Sequence, residues 1–179
     1  MSLVRSAACC LFVVAALAAT YTVHAQDAEL QQVNELVQRG DLDQAAHQAD
    51  AYVKAHPKDP RGRFLKGVVL TQQNRIDEAI GIYTQLTYDY PELPEPYNNL
   101  AALYAAKGQY EMARDALERA VRAQPSYATA HENLGDIYAK LAAQSYAKAA
   151  ELERGRASAQ KKLKMANELA PAAPTPPTR

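Results

Sequence analysis

A spacing of 34 residues runs through the middle of this 179-residue chain and constrains its fold more than any other feature. Proline recurs at this interval as Pro57, Pro91 and Pro125. Three further columns keep the same register, namely Ala45, Ala79 and Ala113; Leu36, Leu70, Tyr104 and Tyr138; and Gly40, Asn74 and Gly108. The last column holds residue types that tolerate the left-handed backbone at the end of a helix. Several independent columns in one register indicate tandem copies of one structural unit.

The unit over residues 94–127 has the clearest pattern of two helices. Pro94 suits a first helical turn because the φ angle of proline is fixed near the helical value. Apolar residues at helical spacing continue up to Gly108, where the pattern breaks, and they resume from Tyr110 until Pro125. Two helices of this size cannot bury their apolar faces alone, so neighbouring units are expected to stack.

These units resemble the tetratricopeptide repeats over about 130 residues of the chain. The resemblance rests most on Tyr97, Leu100, Tyr104, Gly108, Tyr110, Ala113, Leu117, Ala120 and Pro125. The chain departs from the family pattern at Ala101, where glycine is usual, and at Arg63, where an aromatic residue is usual. The resemblance implies an all-α fold, a right-handed α-solenoid of stacked helix-turn-helix repeats. It places a repeat domain at 26–169, with units 26–59, 60–93, 94–127 and a shortened 128–155.

The fourth unit leaves the 34-residue register. Continuing that register would bury the charged residues Glu151 and Arg154. A shorter interval, which aligns Ala142 with Ala113, keeps apolar side chains inside but removes the residues of the turn. We therefore predict a single helix over 128–153, with no reversal in the middle.

The end of the chain is predicted to cap the array. After Gly155, residues 156–169 are expected to form a last helix whose inward face comprises Ala159, Leu163, Ala166 and Leu169. Residues 170–179 are rich in proline and are expected to form a disordered tail. The basic residues around this helix (Arg154, Arg156, Lys161, Lys162 and Lys164) could meet an anionic membrane or an acidic partner, although the interleaved glutamates favour a solvated face.

Residues 1–25 have the layout of a secretory signal peptide. Arg5 precedes an apolar run over 7–19, and small residues stand at the positions that signal peptidase reads, so cleavage is expected between Ala25 and Gln26. The run is short for a transmembrane helix, which needs roughly 20 residues. Both cysteines lie in this segment, which leaves the expected mature chain without any. A bacterial periplasmic location is expected, with an uncleaved inner-membrane anchor as the alternative.

Charge and motif content disfavour several classes of function. The chain has 20 basic and 20 acidic residues, a balance that disfavours a nucleic-acid partner. Its histidines lack the spacing of a metal site, and its glycines do not form a phosphate loop. We therefore predict a protein without catalytic residues, cofactor or metal.

The resemblance also points to a binding surface, because in this family the first helix of each unit lines a concave groove that receives an extended peptide or a partner helix. The corresponding residues are Asn34, Phe64, Leu65, Val68, Asn98, Asn99, Ala102, Glu132, Asn133 and Asp136. Asn99 and Asn133 lie one repeat apart, and amides both donate and accept hydrogen bonds, so together they could hold a peptide backbone of any sequence. The same amides could equally satisfy local helix groups or water.

The expected function is that of a scaffold or adaptor for another protein of the bacterial cell envelope. One alternative is a periplasmic chaperone-like protein that holds extended chains. Another is an accessory subunit of an envelope enzyme or transport complex. The fold by itself does not choose among these functions.

Overall fold

The computed structural model describes residues 26–153 and 156–170. The predicted signal segment 1–25, the break at Gly155 and the prolines of the tail lie outside the described residues. Within the described residues there are eight α-helices and no strand: α1 (26–39), α2 (Leu42–Ala55), α3 (Pro60–Gln72), α4 (Ile76–Asp89), α5 (Pro94–Ala106), α6 (Tyr110–Ala123), α7 (Ala128–Leu152) and α8 (Ala157–Leu169). The predicted all-α fold of the α-solenoid class, built from helix-turn-helix repeats, is confirmed.

Three equivalent turns explain why the helices alternate in this way. Gly40, Asn74 and Gly108 have positive φ angles of 81°, 59° and 71°. The residue after each of them donates its backbone N–H to a carbonyl five residues earlier, at 2.9 Å in all three cases: Asp41 to Leu36, Arg75 to Leu70, and Gln109 to Tyr104. These bonds satisfy carbonyls that the helix end would otherwise leave unpaired. The 34-residue column of Gly, Asn and Gly is therefore a column of helix stops, as predicted.

The chain divides into two compact units at the junction between Arg75 and Ile76. This junction falls inside the second predicted repeat, 60–93. The first unit contains α1 to α3, and its core consists of Leu30, Val33, Leu36, Ala45, Ala49, Tyr52, Leu65 and Val69. Ala45 and Ala49 lie on one side of α2 and are almost completely buried, so small side chains let the helices of this unit approach closely.

The second unit contains α4 to α8, in which consecutive helices pack against each other. Its core comprises Tyr97, Ala101, Ala105, Ala113, Ala116, Leu117, Ala120, Ala130 and Ile137. Ala79 and Ala113 are fully buried, as the alanine column predicts. Larger side chains at these two positions would separate the helices that pack there.

The fourth repeat contains no reversal. A single helix, α7, runs from Ala128 to Leu152 and agrees with the prediction of one helix over 128–153. At Ala142, where the column of helix stops would continue, the chain keeps helical geometry. Alanine favours the helical backbone and disfavours the left-handed region, so the helix continues through Ala142.

The capping helix forms as predicted, but its inward face is narrower. Ala159 and Ala166 are buried and Leu163 is partly buried, whereas Leu169 is 73% exposed. The prediction for Leu169 is therefore wrong, because the face of α8 that packs on α7 ends before it. Ala170 falls in the predicted tail, but it is buried and closes the helix by donating its backbone N–H to the carbonyl of Ala166 at 3.2 Å.

Candidate functional site

The predicted groove residues of the first unit are only partly accessible. Asn34 on α1 is exposed, and Phe64 and Val68 on α3 are half-buried. Leu65 is 8% exposed and belongs to the core of the unit. The expectation that Leu65 lines an open surface is therefore wrong, because its side chain packs inward.

The predicted groove residues on α5 are buried. Asn98, Asn99 and Ala102 are 0%, 4% and 7% exposed. Ten of the 13 residues of α5 are buried, and the helix packs against both α4 and α6. The prediction that these three side chains face an open groove is wrong, because α5 is enclosed on nearly all sides.

The buried asparagines belong to an amide network within the second unit. Asn133 on α7 donates from its Nδ2 to the Oδ1 of Asn98 at 2.8 Å. Asn99 donates from its Nδ2 to the hydroxyl of Tyr83 on α4 at 3.0 Å. α5 and α7 are the first helices of successive repeats, and Asn98 on α5 pairs with Asn133 on α7. The expected row of Asn99 and Asn133 is not formed. Whether these residues bind a peptide stays a prediction.

Two atoms of this network have no hydrogen-bond partner. They are the Nδ2 donor of Asn98 and the Oδ1 acceptor of Asn99, which are both buried. A buried polar atom that is left unpaired typically costs about 1–3 kcal/mol, and most such atoms in native proteins are paired. The second unit therefore holds an unused amide donor and an unused amide acceptor on consecutive residues of α5.

The accessible side of this network lies on α7. Glu132 is exposed, whereas Asn133 and Asp136 are half-buried. Burial raises the pKa of Asp136, the charge of Glu132 raises it further, and Lys140 opposes the shift. Because two carboxylates share this face, it favours a cation over an anion. We refer to Asn98, Glu132, Asn133 and Asp136 together as the amide–acid patch.

The structure also reveals a charged cluster in the first unit that we did not predict. Arg61 contacts Asp27 on α1 through its Nη1 at 2.6 Å, and its Nη2 lies 2.7 Å from the Oδ2 of Asp59. Asp59 caps α3 by accepting the backbone N–H of Arg61 at 2.9 Å. The hydroxyl of Tyr52 donates to the same carboxylate at 2.7 Å. The cluster ties α1 to the turn between α2 and α3.

The pKa values in this cluster follow from its contacts. Burial acts to raise the pKa of Asp59, but hydrogen bonds from Arg61 and Tyr52 outweigh burial and lower it to about 2. Burial and the hydrogen bond to Asp59 raise the pKa of Tyr52 to about 12. One signal could have identified the pair between Asp27 and Arg61: opposite charges stand 34 residues apart, at equivalent positions of successive first helices.

The described ranges, 26–153 and 156–170, contain no group of three or more His, Cys, Asp or Glu residues that could hold a metal ion. No helix within these ranges is both long enough and apolar enough to span a bilayer.

Two family models match the chain. One, described as a tetratricopeptide repeat, covers residues 30–94. The other, described as a TPR repeat, covers residues 103–141. Together they span more than half of the chain and both of its compact units.

Relatives among known proteins match part of the chain. The TPR repeat-containing thioredoxin TTL4 of Arabidopsis thaliana is 37% identical over 75 residues, which are 42% of this chain and 11% of TTL4. The BBSome complex member BBS4 homolog of Drosophila melanogaster is 32% identical over 90 residues, which are 50% of this chain and 18% of that protein. The chain thus spans less than a fifth of the length of either relative.

Solved structures with the same fold extend over most of the chain. The protein TTC0263 of Thermus thermophilus, described as a thermophilic TPR protein, is 23% identical with a TM-score of 0.59, covering 82% of this chain and 92% of its own. A crystal structure of MamA is 21% identical with a TM-score of 0.57, covering 80% of this chain and 81% of its own. At these identities the similarity concerns the fold.

Proposed function

This chain belongs to the tetratricopeptide-repeat family, and we propose that it is a non-catalytic scaffold or adaptor that binds a segment of another protein in the bacterial cell envelope. The partner segment, an extended peptide or a helix, docks on the first helices of the repeats. In the second unit the partner contacts α7, where Glu132, Asn133 and Asp136 are accessible. The buried α5 contributes Asn98, which is bonded to Asn133.

The observation that carries this proposal is the amide pair between Asn98 and Asn133, at 2.8 Å. In this pair, predicted groove residues from two successive repeats come into contact. The Nδ2 of Asn98 has no partner, and Asn133 is half-buried, so that part of its surface is accessible. A peptide backbone carries one acceptor and one donor per residue, and an incoming carbonyl would satisfy the free donor once the pair opens.

The acidic side chains of the patch favour a partner segment that carries a basic residue. Glu132 and Asp136 lie one turn apart on α7, and the pKa of Asp136 is raised first by burial and then by the negative charge of Glu132. A Lys or Arg side chain of the partner would relieve this repulsion. We therefore infer that the bound segment carries a basic residue beside the backbone that the amides hold.

The envelope location rests on residues 1–25. Arg5, the apolar run over 7–19 and the small residues before Gln26 support export to the periplasm with cleavage after Ala25. An uncleaved segment would instead leave the repeats anchored at the inner membrane. In both cases the repeats would meet partners on the outer side of that membrane. Mass spectrometry of the chain recovered from an envelope fraction distinguishes the two forms.

A pull-down from envelope extract, followed by binding measurements with the recovered partner, tests the scaffold function. We expect one stoichiometric partner. We expect Asn133→Ala, which removes a neutral hydrogen bond to the peptide backbone, to weaken binding by up to about tenfold. Asp136→Asn, which removes a charge-assisted contact with a basic side chain, should weaken it about tenfold or more. Glu111→Gln, an exposed carboxylate on α6, is the matched control and should bind as the unmodified chain does.

Two outcomes would contradict the proposal. Many substoichiometric partners would indicate a holder of extended chains. Unchanged binding by both patch variants would place the partner on another surface. Far-UV circular dichroism of each variant confirms that a loss of binding does not reflect unfolding.

A further inference from the structure

Exposed apolar side chains concentrate at the C-terminal end of the second unit. Leu152 is 72% exposed, Met165 53% and Leu169 73%. Among the described residues, half of the exposed large apolar side chains therefore fall between positions 152 and 169. The capping helix α8 carries two of them on the side that does not pack on α7.

Helical spacing places the two exposed apolar residues of α8, Met165 and Leu169, in one stripe with two lysines. Lys161 and Met165 are one turn apart, as are Met165 and Leu169, and Lys162 is seven residues before Leu169. Met165 and Leu169 thus lie between Lys161 on one flank and Lys162 on the other. We call Lys161, Lys162, Met165 and Leu169 the α8 stripe.

The two lysines of the stripe are available for an anionic partner. Within the part of the chain that the structure describes, neither has a carboxylate partner. Lys162 lies with its Nζ 5.6 Å from the ring centroid of Tyr146 on α7. Other basic residues nearby are already paired. Arg156 contacts Glu153 at 2.8 Å, and Lys164 contacts Glu168 at 3.9 Å. Glu168 lies seven residues after Lys161, so this acidic side chain borders the stripe on the Lys161 flank.

The combination of apolar and basic side chains on one convex helix face points to a lipid surface. At a bilayer interface, apolar side chains sink between the headgroups while the long lysine side chains reach the lipid phosphates. A protein partner would have to supply a groove that encloses the ridge of a single helix. Once the ion pairs of Arg156 and Lys164 are set aside, Lys161 and Lys162 remain as positive charges without a carboxylate partner in the described part of this region, and they complement an anionic bilayer.

We propose that the α8 stripe docks this protein on an anionic membrane surface, with Met165 and Leu169 inserted at the level of the headgroups. The site is distinct from the amide–acid patch, so the repeats can hold a protein partner while α8 contacts lipid. Binding is peripheral and reversible, because two apolar side chains and two lysines give a weak interaction that salt reduces.

Vesicle flotation tests this proposal with two lipid compositions, phosphatidylcholine alone and phosphatidylcholine mixed with phosphatidylglycerol. The chain is produced with all of its residues, and mass spectrometry identifies the N terminus of the purified form. Because every variant carries the same N terminus, residues 1–25 contribute equally to all of them. We expect the chain to bind the anionic vesicles more strongly than the neutral ones, and we expect high salt to remove this difference.

Two double variants address the two parts of the stripe. Lys161→Gln/Lys162→Gln should weaken binding to anionic vesicles about 25-fold, at about fivefold for each lysine near the surface. Met165→Ser/Leu169→Ser should weaken it comparably, and because both side chains are exposed the fold should persist. Lys54→Gln on α2 and Met112→Ser on α6 are matched controls, exposed residues outside the stripe, and should bind as the unmodified chain does.

The proposal is overturned if both double variants bind anionic vesicles as tightly as the unmodified chain. Equal binding of the unmodified chain to neutral and anionic vesicles would also overturn it. Binding to immobilised polyglutamate without binding to anionic vesicles would reassign the stripe to an acidic protein partner.

Discussion

Replacing Gly62 by alanine should destabilise the first unit, because the new methyl group has no space. A Cβ atom at this position would overlap Cδ1 of the Tyr52 ring, and it would lie 2.9 Å from Cε1 of that ring and 3.4 Å from Val53 Cγ2. The ring cannot easily move aside. Tyr52 is 2% exposed, and its hydroxyl is fixed to the carboxylate of Asp59 at 2.7 Å.

The expected magnitude is the difference between two opposing effects. Forcing a methyl group into a well-packed core typically costs about 1–3 kcal/mol. Replacing glycine by alanine inside a helix contributes about 0.5–1 kcal/mol in the other direction. We therefore expect a net loss of about 1–2 kcal/mol in the free energy of unfolding for Gly62→Ala, within the range of these two effects.

Gly81 provides the matched control. It lies within α4, and a Cβ atom there would have no neighbour within 4 Å. Gly81→Ala should therefore stabilise the chain by up to about 1 kcal/mol. Urea denaturation followed by far-UV circular dichroism measures both variants, provided that the slope of each transition is unchanged. If Gly62→Ala is as stable as the unmodified chain while Gly81→Ala behaves as expected, Tyr52 adapts without cost and the packing argument is wrong.

Three further predictions concern a turn, the long helix α7 and the charged cluster. Gly108→Ala should lower the free energy of unfolding by about 1 kcal/mol. The φ angle is 71° there, and a Cβ atom at this position would have no neighbour within 4 Å, so backbone strain is the sole penalty. Ala142→Gly should lower the free energy of unfolding by a similar amount because glycine weakens α7. Thermal unfolding measures both variants. The pKa of Asp59 is lowered to about 2 from an ordinary value of 3.8, so its ionised form should stabilise the chain by about 2 kcal/mol above pH 4 and lose this contribution as the pH falls towards 2. Measuring the free energy of unfolding between pH 4 and pH 2 should reveal this loss in the unmodified chain but not in Asp59→Asn. The same dependence on pH in both would contradict the lowered pKa of Asp59.

The sequence predicts the helices well because the helix stops repeat. Gly40, Asn74 and Gly108 are local signals whose backbone preference does not depend on distant contacts. The long helix α7 is predicted on other grounds, because continuing the 34-residue register would bury the charged Glu151 and Arg154. The structure adds that no helix stop stands at Ala142. Local chemistry thus determines where these helices begin and end.

Burial of the candidate site was harder to predict. The repeat register assumes that one face of each first helix meets solvent, yet Asn98 and Asn99 on α5 are enclosed. A signal was present in the composition of α5, whose residues from Leu100 to Ala106 are apolar on every face of the helix. Helices that are apolar all round are typically buried. The pairing of Asn98 with Asn133 depends on side-chain rotamers and on how α5 approaches α7, and a repeat register does not fix either of these.

The loss of the turn in α7 determines where this array could be lengthened by duplication. A second copy of residues 94–127 inserted before Ala128 would begin and end in the same register as its neighbours, so each new helix would meet a surface of the kind it already packs against. The same block inserted after Leu152 would follow a helix that has left the 34-residue register. We therefore expect a duplicated unit to be tolerated better before Ala128 than after Leu152.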